Sequence, residues 1–127
     1  MRNAILLLLA AVWLGHGVAL AHHSPIVFDR TRKVSITGTV TEFKWGNPHS
    51  WIHVDVKDEH GVVGNWGVEM NPASNLAREG WRASTVKPGD TVTVTIYPLR
   101  NNEKGGQFVA IKLPDGTELG ERESGVL

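Results

Sequence analysis

Val34-Ser35-Ile36-Thr37-Gly38-Thr39-Val40-Thr41-Glu42-Phe43-Lys44-Trp45, residues 34–45, decides the fold. Val34, Ile36 and Val40 alternate with Ser35, Thr37 and Thr39, the period-two pattern of a half-buried strand. Gly38 falls on the apolar side of that alternation, and beyond Thr41 the apolar parity switches to Phe43 and Trp45. An interior glycine followed by a parity switch marks a bulge or sharp bend. A long first strand bent in this way lets a small sheet curl closed on itself.

Downstream, Trp45-Gly46-Asn47-Pro48 is a turn by composition. Trp51 to Lys57 alternates cleanly, with Ile52, Val54 and Val56 on one face and Trp51, His53, Asp55 and Lys57 on the other. Asp58-Glu59-His60-Gly61 is the next turn, and Asn65 to Met70 reads as a third strand with Trp66, Val68 and Met70 inward. Asn71-Pro72 reads as a helix start, with Asn71 as cap and Pro72 at the first helical position. Ala73, Leu76 and Ala77 would line that short helix, and Gly80 would end it. Lys87-Pro88-Gly89-Asp90 turns into a strand over Thr91 to Tyr97; a polar loop, Asn101 to Gly106, leads to a last strand, Gln107 to Leu113.

Three strands, a short helix and two strands predict a mainly β fold, a small five-stranded OB-like barrel with the helix between strands 3 and 4. A small sandwich is the main competitor. The expected organisation is a cleaved secretory signal over residues 1–21, a lead-in over 22–33, the barrel over 34–118 and a flexible tail over 119–127. Arg2 supplies the charged start of the signal, Ile5 to Leu14 its apolar run and Ala19-Leu20-Ala21 its small-x-small cleavage site. That apolar run is too short for a membrane span, and no later stretch reaches the ~18 residues a spanning helix needs. The mature chain is therefore expected to be soluble and periplasmic or secreted, without a membrane span. The chain has no cysteine, so neither a disulfide nor lipid attachment through cysteine is available. With 13 basic and 13 acidic residues it lacks the basic excess of a nonspecific nucleic-acid binder, and no nucleic-acid partner is expected.

Cutting after Ala21 leaves His22-His23-Ser24-Pro25 as the mature terminus. A terminal histidine chelates through its α-amine and its own ring, and a second imidazole would complete a three-nitrogen site of the planar kind that suits Cu(II). Amine and imidazole titrate near ~8 and ~6.5, so deprotonating both at neutral pH costs little. The third nitrogen is expected from His49 or His53 in Asn47-Pro48-His49-Ser50-Trp51-Ile52-His53. On a straight strand these two lie ~13 Å apart, too far to share an ion unless Pro48 bends the chain or each serves a different purpose. His23, Asp55 and Glu69 are the candidate helpers. His53 and Asp55 share a face ~6.6 Å apart, and Glu69, outward on its strand, is expected across from His53 as ligand or general base. The bland alternatives are a solvated face with His53 stacked on Trp51, and a Glu69 paired with Lys or Arg. His60 is expected to be solvent-exposed, and Asp29 has the same two readings as Glu69.

Trp45 and Trp51 are candidate ligand-stacking residues. An outward Trp51 would hold a sugar ring, a base or a peptide side chain, or be covered by the lead-in segment. There is no nucleophile elbow, phosphate-cradling loop, HExxH or cysteine nucleophile, which favours a binding protein over an enzyme. An oxidase built on a terminal-histidine copper centre would need inserted loops to form a substrate surface, and none is evident.

His22-His23-Ser24, Phe28-Asp29, Gly38-Thr39-Val40-Thr41, Trp45-Gly46-Asn47-Pro48-His49, Trp66-Gly67-Val68-Glu69, Gly80-Trp81 and Lys87-Pro88-Gly89-Asp90 together resemble a group of small exported bacterial proteins of unknown function. The resemblance implies a periplasmic setting and a small β-domain, and brings no activity. The leading expectation is a periplasmic copper-binding protein in metal handling or delivery, with a periplasmic partner protein. The alternative is a metal-free binding module that holds a peptide, glycan or partner protein on its tryptophan face.

Overall fold

The structure, a computed structural model, describes residues 27–121. The strands are β1 (Val34–Lys44), β2 (Ser50–Lys57), β3 (Val63–Met70), β4 (Thr91–Pro98), β5 (Gly105–Lys112) and β6 (Glu118–Gly120), with helix α1 (Ala73–Arg78) between β3 and β4. The sheet runs β3-β2-β1-β4-β5-β6, and β3 also pairs with β5. That parallel pairing, Gly67 to Gly105 through Glu69 to Gln107, closes β1–β5 into the expected five-stranded OB-like barrel.

β1 serves two partners in sequence. Val34 to Thr39 pair with β4, and Thr39 to Lys44 pair with β2. The parity switch is a bulge: Val40 faces Val54 and Glu42 faces His53, which leaves Thr41 as the extra residue. At Gly38 a Cβ would run into the carbonyl oxygen of Asp55, so the glycine is what lets the two strands approach at the bend. The inward residues Ile52, Val54, Val68, Val94 and Ile96 are essentially inaccessible and form the centre of the core.

The strands β3 and β5 begin two residues earlier than their sequence pattern indicates, at Val63 and Gly105. The helix start also shifts. Pro72, not Asn71, is the N-cap residue, and it makes no side-chain cap bond. The preceding turn does the capping instead: Gly46 O accepts from Ala73 N–H at 2.9 Å, and Asn47 Oδ1 from Ser74 N–H at 3.5 Å. Gly80 ends the helix as expected, at φ +94°. Trp81 N–H donates to Leu76 O and Gly80 N–H to Ala77 O, the paired bonds of a Schellman motif, with Trp81 and Leu76 both buried. The C-terminal stretch adds β6, a sixth short strand beyond the five counted from the sequence pattern, which lies against Ala110–Lys112 of β5.

Gly38→Ala should destabilise the barrel by about 1–3 kcal/mol, because the added carbon meets backbone rather than a yielding side chain. Equilibrium urea unfolding reads this directly. An unchanged midpoint would mean that the bend in β1 does not need close approach.

Candidate functional site

The outer face of β2 and β3 carries Trp51, His53, Asp55 and Glu69 of the sequence-predicted residues. Antiparallel register sets Trp51 against Glu69, His53 against Gly67 and Asp55 against Asn65. Glu69 is therefore not across from His53. It lies beside His49, whose Nδ1 is 3.3 Å from Glu69 Oε1 and 3.2 Å from Met70 O. Because Met70 O only accepts, the His49 Nδ1 is a nitrogen that carries a proton. His49 and Glu69 line a pocket of about 80 Å³ with Met70, Asn71, Gln107 and Phe108.

His49 is set by the docking of its turn. Ser50, fully buried, uses its hydroxyl both to accept from Gly46 N–H and to donate to Gly46 O, each at 3.2 Å. Its own N–H donates to Asn71 O at 3.2 Å. The turn is thus fastened to the segment that ends β3 and starts α1.

His53 sits in a different environment. Its ring stacks on Trp51, with centroids 6.3 Å apart and planes 17° from parallel. Its Nδ1 lies 3.3 Å from Asn65 Oδ1. Asn65 Nδ2 in turn donates to Asp55 Oδ1 at 2.8 Å and to Thr41 Oγ1 at 3.1 Å. His53 and Asp55 are thereby joined through an amide rather than aimed together at one point. A Cβ on Gly67 would be 3.5 Å from the His53 ring, so the imidazole lies beside Gly67 of β3. Asn65, Ser50 and Asn47 escaped the sequence reading; Asn65 had a usable signal, since it has the outward parity of His53 and Asp55.

Among the described residues no group of three or more His, Cys, Asp or Glu is arranged to hold a metal ion. His22 and His23 lie outside the described residues. The end of the lead-in is fixed, however. Phe28 bridges Leu99, Asp29 N–H donates to Pro98 O at 2.8 Å, and Arg100 N–H donates to Val27 O at 3.0 Å. Asp29 holds this anchor by accepting from the Thr31 hydroxyl at 2.6 Å, the Thr31 N–H at 3.1 Å and Arg32 Nε at 3.1 Å. The Thr31 hydroxyl, then the Thr31 N–H, keep its carboxyl below the ordinary value. Trp45 is half-buried, edge-on to Phe43 at 5.9 Å, and belongs to the margin of the core. His60 is exposed, 3.5 Å from Glu59. A groove of about 460 Å³ across β1, β4, β5 and β6 contains none of the histidines or tryptophans.

The model of a family of unknown function, DUF6152, matches residues 11–108. The chain belongs to this family. No curated protein matches it. Among solved structures the family member is similar to the mitochondrial single-stranded DNA binding protein Rim1 from S. cerevisiae, at 16% identity and a TM-score of 0.48. That alignment covers 65% of this chain and 93% of the other.

Two predictions follow from the anchors. Ser50→Ala leaves the Gly46 N–H without its side-chain acceptor and should cost about 1–3 kcal/mol in thermal or urea unfolding. Loss of the Asp29 contacts should appear in acid. A depressed folded pKa gives stabilisation that is present above the unfolded value near 3.8 and is lost as pH falls through the lower folded value. Exchange of the Asp29 and Arg100 amides should accelerate in that window ahead of the β2 amides; simultaneous acceleration would deny Asp29 this local role.

Proposed function

We propose that the mature protein is an exported, periplasmic Cu(II)-binding protein that handles the ion or delivers it to a periplasmic partner. His22 chelates through its α-amine and ring, and His53 supplies the third nitrogen. His49, beside Glu69 and outside the row that joins the lead-in anchor to His53, is the second choice for that nitrogen, and His23 and Asp55 stand as helpers.

The observation that carries this reading is one lateral row across the barrel: Phe28 pairs with Leu99, Leu99 N–H donates to Gly105 O, Gly105 pairs with Gly67, and Gly67 pairs with His53. Four strand spacings of ~4.8 Å put His53 ~19 Å from the lead-in anchor. The six residue steps from Phe28 back to His22 can reach ~20 Å at full extension, which covers that span. At the His53 end of the row, Gly67 places no side chain beside the imidazole. The metal-free alternative draws on the stacked Trp51 and His53 rings as a platform for a peptide, glycan or protein; binding of that kind would not depend on His22.

The test starts with the intact mass of the exported protein, followed by Cu(II) titration of the same material with electron paramagnetic resonance. The expected result is a chain starting at His22 with one nitrogen-rich site. One extra residue ahead of His22, or His53→Ala, should weaken binding by roughly 100-fold, at least as much as losing an outer-shell partner does. Undiminished affinity in the extended protein would overturn the terminal chelate.

A further inference from the structure

We infer that Asn65 is the positioning residue that makes Nε2 the ligand nitrogen of His53; this rests on the reading of His53 as a copper ligand. The inference comes from the direction of a hydrogen-bond chain. At one end, the Thr41 hydroxyl donates to the backbone carbonyl of His53 at 3.3 Å, so its oxygen accepts from Asn65 Nδ2. At another, the Asp55 carboxylate lies 2.8 Å from the same Nδ2 and, when ionised, can only accept. Both ends therefore require the NH2 group of Asn65 on their side.

Rotating the amide by half a turn would set Asn65 Oδ1 against the Asp55 carboxylate, two acceptors in hydrogen-bond range. The amide is thus locked with Oδ1 toward His53, 3.3 Å from Nδ1. An amide oxygen only accepts, so His53 carries its proton on Nδ1 and its lone pair on Nε2. A histidine left to water favours the opposite arrangement, with the proton on Nε2. Fixing the inner nitrogen through a polar partner is how outer-shell residues orient metal-bound imidazoles.

The Thr41 bulge is part of this device. Val40 and Glu42 take the regular pairing positions opposite Val54 and His53, and the extra residue between them brings its hydroxyl to both Asn65 and the His53 carbonyl. A bulge placed there by the curvature of the barrel thus also supplies one of the two acceptors that orient the amide.

The experiment is long-range 1H–15N correlation of the histidine side chains in the metal-free protein at about pH 8, above the ordinary imidazole pKa. His53 should show a protonated Nδ1 and an unprotonated Nε2. Asn65→Leu removes the acceptor, and Asp55→Asn removes the acceptor-only anchor so that the amide can turn; each should move His53 toward the Nε2-protonated form. His49, held by the Met70 carbonyl, should keep its pattern in both variants and report that the fold is intact. Wild-type His53 protonated on Nε2, or an unchanged pattern in both variants, would overturn the inference. Copper titration of the same samples separates the two readings. A correct tautomer without tight, His22-dependent copper binding sinks the metal function alone, and tight binding with the wrong tautomer sinks the role of Asn65 alone.

Discussion

The structure depends on β1 pairing with two strands that diverge. Its first half must follow β4 and its second half β2, and the backbone has to turn between them without losing its ladder. Gly38 permits the approach that the turn requires, and the Thr41 bulge absorbs the change of register. With β1 bent, β2 and β3 are carried around until β3 meets β5. Closure there again relies on glycine: at Gly105 a Cβ would be 2.8 Å from Gly67 O, and at Gly106 it would meet the Tyr97 carbonyl. The seam is therefore narrow, and it is the place where the lead-in, β5, β3 and His53 fall into one row.

The elements set by alternation or by backbone chemistry were legible in the sequence. Ile52, Val54 and Val56 announce β2, the parity change after Thr41 announces the bulge, and Gly80 announces a helix end because its positive φ is inexpensive only for glycine. What alternation cannot provide is an exact partner. The turn over residues 58–62 pairs Lys57 with Val63, and that register sends Glu69 to Trp51 rather than to His53. The helix cap was illegible for a related reason. Asn71 has the right chemistry for an N-cap, yet the carbonyl of Gly46, distant in sequence, reaches the free Ala73 amide, and no local pattern encodes that encounter.

The same distinction separates His49 from His53. Four residues apart in the sequence, they looked interchangeable as ligands. Tertiary structure gives each its own partner: a backbone carbonyl and a carboxylate for His49, an oriented amide and a stacked indole for His53. Neither partner is the nearest polar residue along the chain, so spacing alone could not have assigned them.

Polarity then does what proximity cannot. Many surface hydrogen bonds can reverse direction, because hydroxyls and neutral imidazoles both donate and accept. The chain through Thr41, Asn65 and Asp55 cannot, since it terminates on a carbonyl and on a carboxylate that have no proton to give. Its direction is therefore passed to His53 even on a half-exposed face, where each bond by itself contributes only modestly to stability. Such a network adds little to the fold, which is held by the core beneath β2. Its consequence is chemical: it decides which nitrogen of the His53 imidazole is available beside Gly67.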